Sequence, residues 1–163
     1  MSRQSNLILK MIEYEKGDTH RVNHLLKVYA FAKAIGEAEE LSPELMEILE
    51  TAAIVHDIGI KPSMEKYNSM AGPYQEKEGE IAARKMLPSF GYEREIVDRV
   101  SYLVGHHHTY KNIDGLDYQI LVEADFLVNV YEHEMDRKEI ESVRKNIFKT
   151  ATGIKFLEKM FLK

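Results

Sequence analysis

Residues 45–59, LMEILETAAIVHDIG, place Leu45, Leu49, Ala52 and His56 in steps of four, three and four, the spacing of one face of an α-helix. The stripe begins as an ordinary buried face and ends on an imidazole. Asp57 follows about 100° further round the same helix, beside Ala53. The pattern recurs twice. Upstream, His24, Val28, Phe31 and Ile35 form a stripe of the same period; downstream, Leu121, Asp125 and Val128 form another. Three helices therefore aim two imidazoles and two carboxylates at the interior. Burying such groups is costly unless something compensates their lost hydration, and a divalent cation shared among His24, His56, Asp57 and Asp125 is the most economical compensation.

The rest of the chain sets the frame. Its 163 residues, 44% hydrophobic and 30% charged, suit one globular domain with a sizeable core. No apolar run is long enough for a membrane span, and the first 17 residues are too polar for a secretory signal, so a cytoplasmic location is expected. There is no cysteine, which excludes disulfides and thiolate ligands. A net charge of −5 without a basic run argues against nucleic-acid polymers and anionic membranes as partners and favours a small soluble one. Oligomeric state is not readable.

Periodicity and end signals predict helices at about 3–16, 19–38, 43–58, 75–87, 92–108, 117–135, 137–150 and 153–162, and no strand of any length. The reading is an all-α compact helical bundle forming a single domain over 1–163, with its motif-bearing core at about 19–132 and C-terminal helices at about 137–162. Asp18 or Thr19, Ser42 before Pro43, and Asp136 with Glu139 read as helix starts. Gly59 reads as the end of the helix carrying His56, and Pro88 as a stop. Ile60–Tyr74, bounded by Lys61-Pro62 and Ala71-Gly72-Pro73, reads as a long connection, the kind that serves as a lid or binding loop.

Nitrogen and oxygen donors of this kind suit manganese, iron, cobalt, nickel, zinc or magnesium more than calcium. Four protein ligands on an octahedral ion leave two positions open, enough for a water and a substrate oxygen. Asp57 can bind with one carboxylate oxygen and orient water with the other. His106 and His107, in the run His106-His107-His108, are candidates to contact a substrate or its leaving oxygen, and Lys61 is a candidate point charge for an anionic substrate. Helical period does not choose within the run: His107 continues Val100 and Leu103, while His106 follows Leu103 by three.

His24, the pair His56-Asp57 and then Asp125, set in VNHLLKVYAFAKAIG (22–36), TAAIVHDIGIKP (51–62) and LVEADFLVNV (121–130), resemble the ordered signature of the HD-domain superfamily of metal-dependent phosphohydrolases. The resemblance covers roughly Thr19 to Glu132. It implies an all-helical fold, a bound divalent metal and hydrolysis of a small phosphate ester, a phosphomonoester or phosphodiester that includes nucleotides among its candidates. A non-catalytic sensor of metal and phosphorylated ligand is the alternative, and an HD-type iron oxygenase a third. Gln75 stands where two-metal members place a histidine, so a single metal is implied, although His20 lies one turn before His24. Ile60 stands where the deoxynucleotide monophosphatase-like and guanosine tetraphosphate hydrolase-like branches carry an acid. The glycine-tyrosine-proline signature of the cyclic-dinucleotide branch is missing from HHHTYKNIDGLDYQ (106–119).

Overall fold

The computed structural model describes residues 1–163 as helices joined by short turns. In chain order these are α1 (Arg3–Glu15), α2 (Thr19–Ala38), α3 (Pro43–Val55), α4 (Ile60–Tyr67), α5 (Gly72–Met86), a 3-10 turn (Leu87–Phe90), α6 (Arg94–Val104), α7 (Leu116–Glu132), α8 (Arg137–Asn146) and α9 (Ala151–Phe161). The helix starts follow local chemistry. Asp18 accepts from the Arg21 amide, Ser42 accepts from the Leu45 amide ahead of Pro43, and Thr150 accepts from the Gly153 amide. Asp136 and Glu139 close a reciprocal capping box, satisfying amides that have no partner within the first turn. No helix is long and apolar enough to cross a membrane.

At the centre of the bundle α2 packs against α3 and α7, and α3 also meets α6 and α7. Leu25, Val28, Ala32 and Ile35 of α2, Leu49, Ala52 and Ala53 of α3, and Ile120, Leu121, Ala124 and Leu127 of α7 are all essentially inaccessible to solvent. At about 25 cal/mol for each Å² of apolar surface removed from water, this shared core fixes the rotation of the three helices. The polar residues on the same stripes are thereby carried inside: His24, His56, Asp57 and Asp125 are all buried.

Three expectations are corrected. Ile60–Tyr74 is not a long loop: its first eight residues form α4, and Gly72 already opens α5. Pro62 is the third residue of α4, within the first turn, where an amide has no helical partner to lose, so Lys61-Pro62 permits a helix start. Gly59 does not close the helix carrying His56; α3 stops at Val55, and Gly59, at φ −76°, precedes α4. Its lack of a side chain serves packing, because a Cβ there would lie 2.1 Å from the Gln75 carbonyl oxygen and 2.5 Å from the Gly79 amide nitrogen. Finally, the helix expected over 92–108 ends at Val104, and the three histidines follow it on a tight turn.

Candidate metal centre

His24 comes from the first half of α2, Asp125 from the middle of α7, and His56-Asp57 from the turn after α3, where the Ile58 amide donates to Val55 O at 3.0 Å and the Ile60 amide to Asp57 O at 3.0 Å. The four side chains meet. His24 Nε2 lies 3.1 Å from His56 Nε2, 3.2 Å from Asp57 Oδ2 and 3.2 Å from Asp125 Oδ1. His56 Nε2 lies 3.4 Å from Asp57 Oδ2 and 3.5 Å from Asp125 Oδ1. Metal–ligand bonds of about 2.1 Å give edges of about 3.0 Å in an octahedron and about 3.4 Å in a tetrahedron. The five separations above, 3.1–3.5 Å, fall close to those edges.

The hydrogen bonds on the far sides of the rings set the tautomers. His56 Nδ1 is 2.8 Å from Ala53 O, and His24 Nδ1 is 2.8 Å from Glu132 Oε1. A carbonyl and a carboxylate only accept, so each Nδ1 carries a hydrogen and each ring presents Nε2 to the cluster, as a lone pair once that atom is deprotonated. Two such lone pairs at 3.1 Å beside two carboxylate oxygens repel one another. A cation removes the conflict. Asp125 Oδ1 and His107 Nε2 are buried without a hydrogen-bond partner, which is the mark of a site shaped for an ion.

The same crowding governs protonation. Burial opposes the charged form of His24, but the neighbouring carboxylates of Asp125 and Asp57 outweigh it and raise its pKa to about 9. Burial likewise opposes charge on His56, yet neighbouring Asp57 and then Asp125 hold it well above the ordinary range. Asp57 is held well below the carboxylate range despite burial, chiefly by His56 and by His107. Asp125 is depressed against burial by His24 and His56. The two carboxylates demand positive charge at this point, which protons or a divalent cation supply.

The other candidates divide. His107 is buried, its Nδ1 donates to Val104 O at 2.7 Å, and its Nε2 faces Asp57 Oδ1 at 3.4 Å. His106 is turned elsewhere: its ring stacks on Tyr102 at 4.0 Å and its Nδ1 bonds Tyr102 O at 2.7 Å. Lys61 is also turned away, its ammonium donating to Tyr14 O at 3.0 Å and lying over the Tyr14 ring. Neither lines the cavity beside the cluster. The sequence offers both as candidate contacts, but the first turn of α4 and the turn after Val104 send these side chains outward.

Residues that sequence reasoning missed complete the walls. Arg21 Nη1 donates to Asp57 Oδ2 at 3.1 Å and lines the cavity; it stands three residues before His24, on the same helix face. Glu132, which anchors His24, continues the stripe Leu121, Asp125, Val128 one step further. Asn129 lies one turn beyond Asp125. His108 also faces the cavity, with Nε2 3.1 Å from Gln75 Oε1, and burial, then the neighbouring His107, lowers its pKa to about 4. His20, which the sequence already places one turn before His24, sits at the mouth, 3.5 Å from Glu132.

With this geometry in place, comparison with known proteins is informative. Residues 21–151 match the HD domain family. The chain belongs to the HD-domain family. A crystal structure described as a predicted HD superfamily hydrolase from an uncultured Thermotogales bacterium superposes with a TM-score of 0.67 at 21% identity, over 96% of this chain and 82% of that one. At that identity the likeness speaks for the all-α fold, which is shared by the two HD proteins. No curated protein matches the sequence. HD domains bind divalent metals, and in this HD domain two groups that share Asp57, His24-His56-Asp57 and Asp57-His107-His108, are each close enough to hold one.

Proposed function

We propose that the protein is a metal-dependent hydrolase of a small phosphate ester, with His24, His56, Asp57 and Asp125 as ligands of one divalent cation. The observation that carries this reading is that His24 Nε2 and His56 Nε2 lie 3.1 Å apart and each lies 3.2–3.5 Å from both Asp57 Oδ2 and Asp125 Oδ1, with both Nε2 atoms turned inward. When bound, the cation supplies a Lewis acid for the phosphoryl oxygen and lowers the pKa of water.

The chain's own groups supply the rest. Asp57 is the only ligand whose second oxygen faces another unsatisfied base: Oδ2 belongs to the cluster, while Oδ1 lies 3.4 Å from His107 Nε2. Asp57 Oδ1 accepts a hydrogen bond from the attacking water and orients it. His107 lies buried behind that carboxylate and outside the cavity lining, its Nδ1–H committed to Val104 O, so Asp57 is the group placed to take the water's proton. Val104 thus fixes which atom of the His107 ring faces Asp57. Glu132 fixes the His24 ring in the same way.

The test is a screen of phosphate release over divalent metals and phosphate esters, using protein stripped by chelator. Release that requires added metal supports hydrolysis. Binding of metal and phosphorylated compounds without any release identifies a sensor instead, and oxygen consumption with an iron-loaded sample identifies an oxygenase. Asp57→Asn keeps the shape and one oxygen ligand but loses the charge and basicity. It is expected to remain folded and lose activity by several orders of magnitude; undiminished release per bound metal contradicts the role given to Asp57.

A further inference from the structure

We infer that the cleft selects phosphomonoesters of short polyhydroxylated leaving groups over nucleotides, and that Arg21 is the residue that holds their phosphate. The inference rests on the hydrolytic reading above and adds the substrate class. Its first ground is size. The cavity beside the cluster has a volume of about 170 Å³, below the roughly 300–1,000 Å³ of pockets that enclose a drug-sized ligand. A phosphoryl group and a few further atoms fill it.

The second ground is the wall. Of the 12 lining residues only Ile60 and Met70 are hydrophobic, and none is Phe, Tyr or Trp. A nucleobase offers flat π faces that stack on aromatic rings or a guanidinium plane; the only flat groups here are imidazoles and Arg21, with His24 tied to Glu132 and His108 to Gln75. Asn129 and His133 instead provide an amide and an imidazole, the donors and acceptors that hydroxyls need.

The third ground is charge. Arg21 is the only arginine or lysine lining the cavity. One Nη1 bond to Asp57 Oδ2 at 3.1 Å holds the guanidinium beside the proposed ligand set, and the planar fork is suited to grip a phosphate through two parallel bonds. Lys61, the other cation close in sequence, is committed to Tyr14.

The test uses the full chain, stripped and reloaded with Mn²⁺. Phosphate release is compared for glycerol phosphate, a four-carbon polyol phosphate and nucleoside monophosphates. Calorimetry in parallel measures binding of inorganic phosphate, glycerol phosphate and a nucleoside monophosphate to wild type, Arg21→Lys and Arg21→Met. The polyol phosphates are expected to exceed the nucleotides at least tenfold in kcat/KM. Arg21→Met should weaken inorganic phosphate at least tenfold with manganese content unchanged, and Arg21→Lys should recover part of the loss. Equal or faster nucleotide turnover, or phosphate affinity indifferent to Arg21, overturns the inference while leaving the hydrolytic reading standing. If no ester is cleaved, tighter, Arg21-dependent binding of glycerol phosphate upholds the ligand class and removes only hydrolysis. Absence of that preference removes both.

Discussion

His24 and His56 are each fixed through Nδ1, and that anchoring makes their Nε2 atoms good ligands before any ion arrives. Glu132→Gln replaces the accepting carboxylate behind His24 with a weaker amide. It should lower divalent-metal affinity by about 10–100-fold in a folded protein, measured by competition with a chelator; unchanged affinity would mean the anchor contributes nothing. His107→Ala should retain the metal and slow turnover by about 10²-fold, and loss of metal from this variant would make His107 a ligand. The meeting of His24, His56, Asp57 and Asp125 was legible because each lies on or directly after an apolar stripe, so burial of the stripe carries the polar group inward. The outward course of Lys61 and His106 was not legible, since it depends on the first turn of α4 and on the turn after Val104. Arg21 was hidden for another reason: nothing in helical period separates a cleft-facing arginine from the many that face water.

Among the elements, α4 and α5 show how a close approach holds the site's outer wall. A side chain at Gly59 would collide with the backbone of α5 at Gln75 and Gly79. Gly59→Ala should therefore cost about 1–3 kcal/mol, read as a lowered urea midpoint. Across the same pair of helices the buried Glu78 carboxylate accepts from Lys66 Nζ at 2.7 Å and Tyr67 Oη at 3.1 Å. The Lys66 bond, against burial, holds its pKa below the ordinary 4.5. A folded-state pKa depressed in this way gives stability that is fully present above about pH 4.5 and is lost as pH falls through the folded value. Glu78→Gln should consequently flatten the fall in melting temperature below pH 4.5, whereas an unchanged acid limb would show that the contact contributes no linkage. Sequence patterns missed α4 because Lys61-Pro62 reads as a helix breaker unless the helix is known to start at Ile60.

At the scale of the whole molecule, the central core carries ionisable groups from α2, α7 and the turn after α3 to a single point, so cation binding and folding stability are linked. Metal at about one hundred times its dissociation constant adds about 2.7 kcal/mol. For a chain of this size that is roughly 5–11 °C in melting temperature, to be seen when the metal is returned to stripped protein, with no rise in a His56→Ala variant. The all-α bundle was legible from three helical stripes and from caps at Asp18, Ser42 and Asp136; where each helix ended was not, because Val55 and Val104 stop at turns shaped by tertiary contacts. The most direct test of the central claim is anomalous diffraction at the manganese edge from crystals of the Mn²⁺-loaded protein. The account predicts one strong peak at about 2.0–2.3 Å from His24 Nε2, His56 Nε2, Asp57 Oδ2 and Asp125 Oδ1. A peak confined to the exposed histidines at the cavity mouth, or no peak among these four atoms, would contradict it.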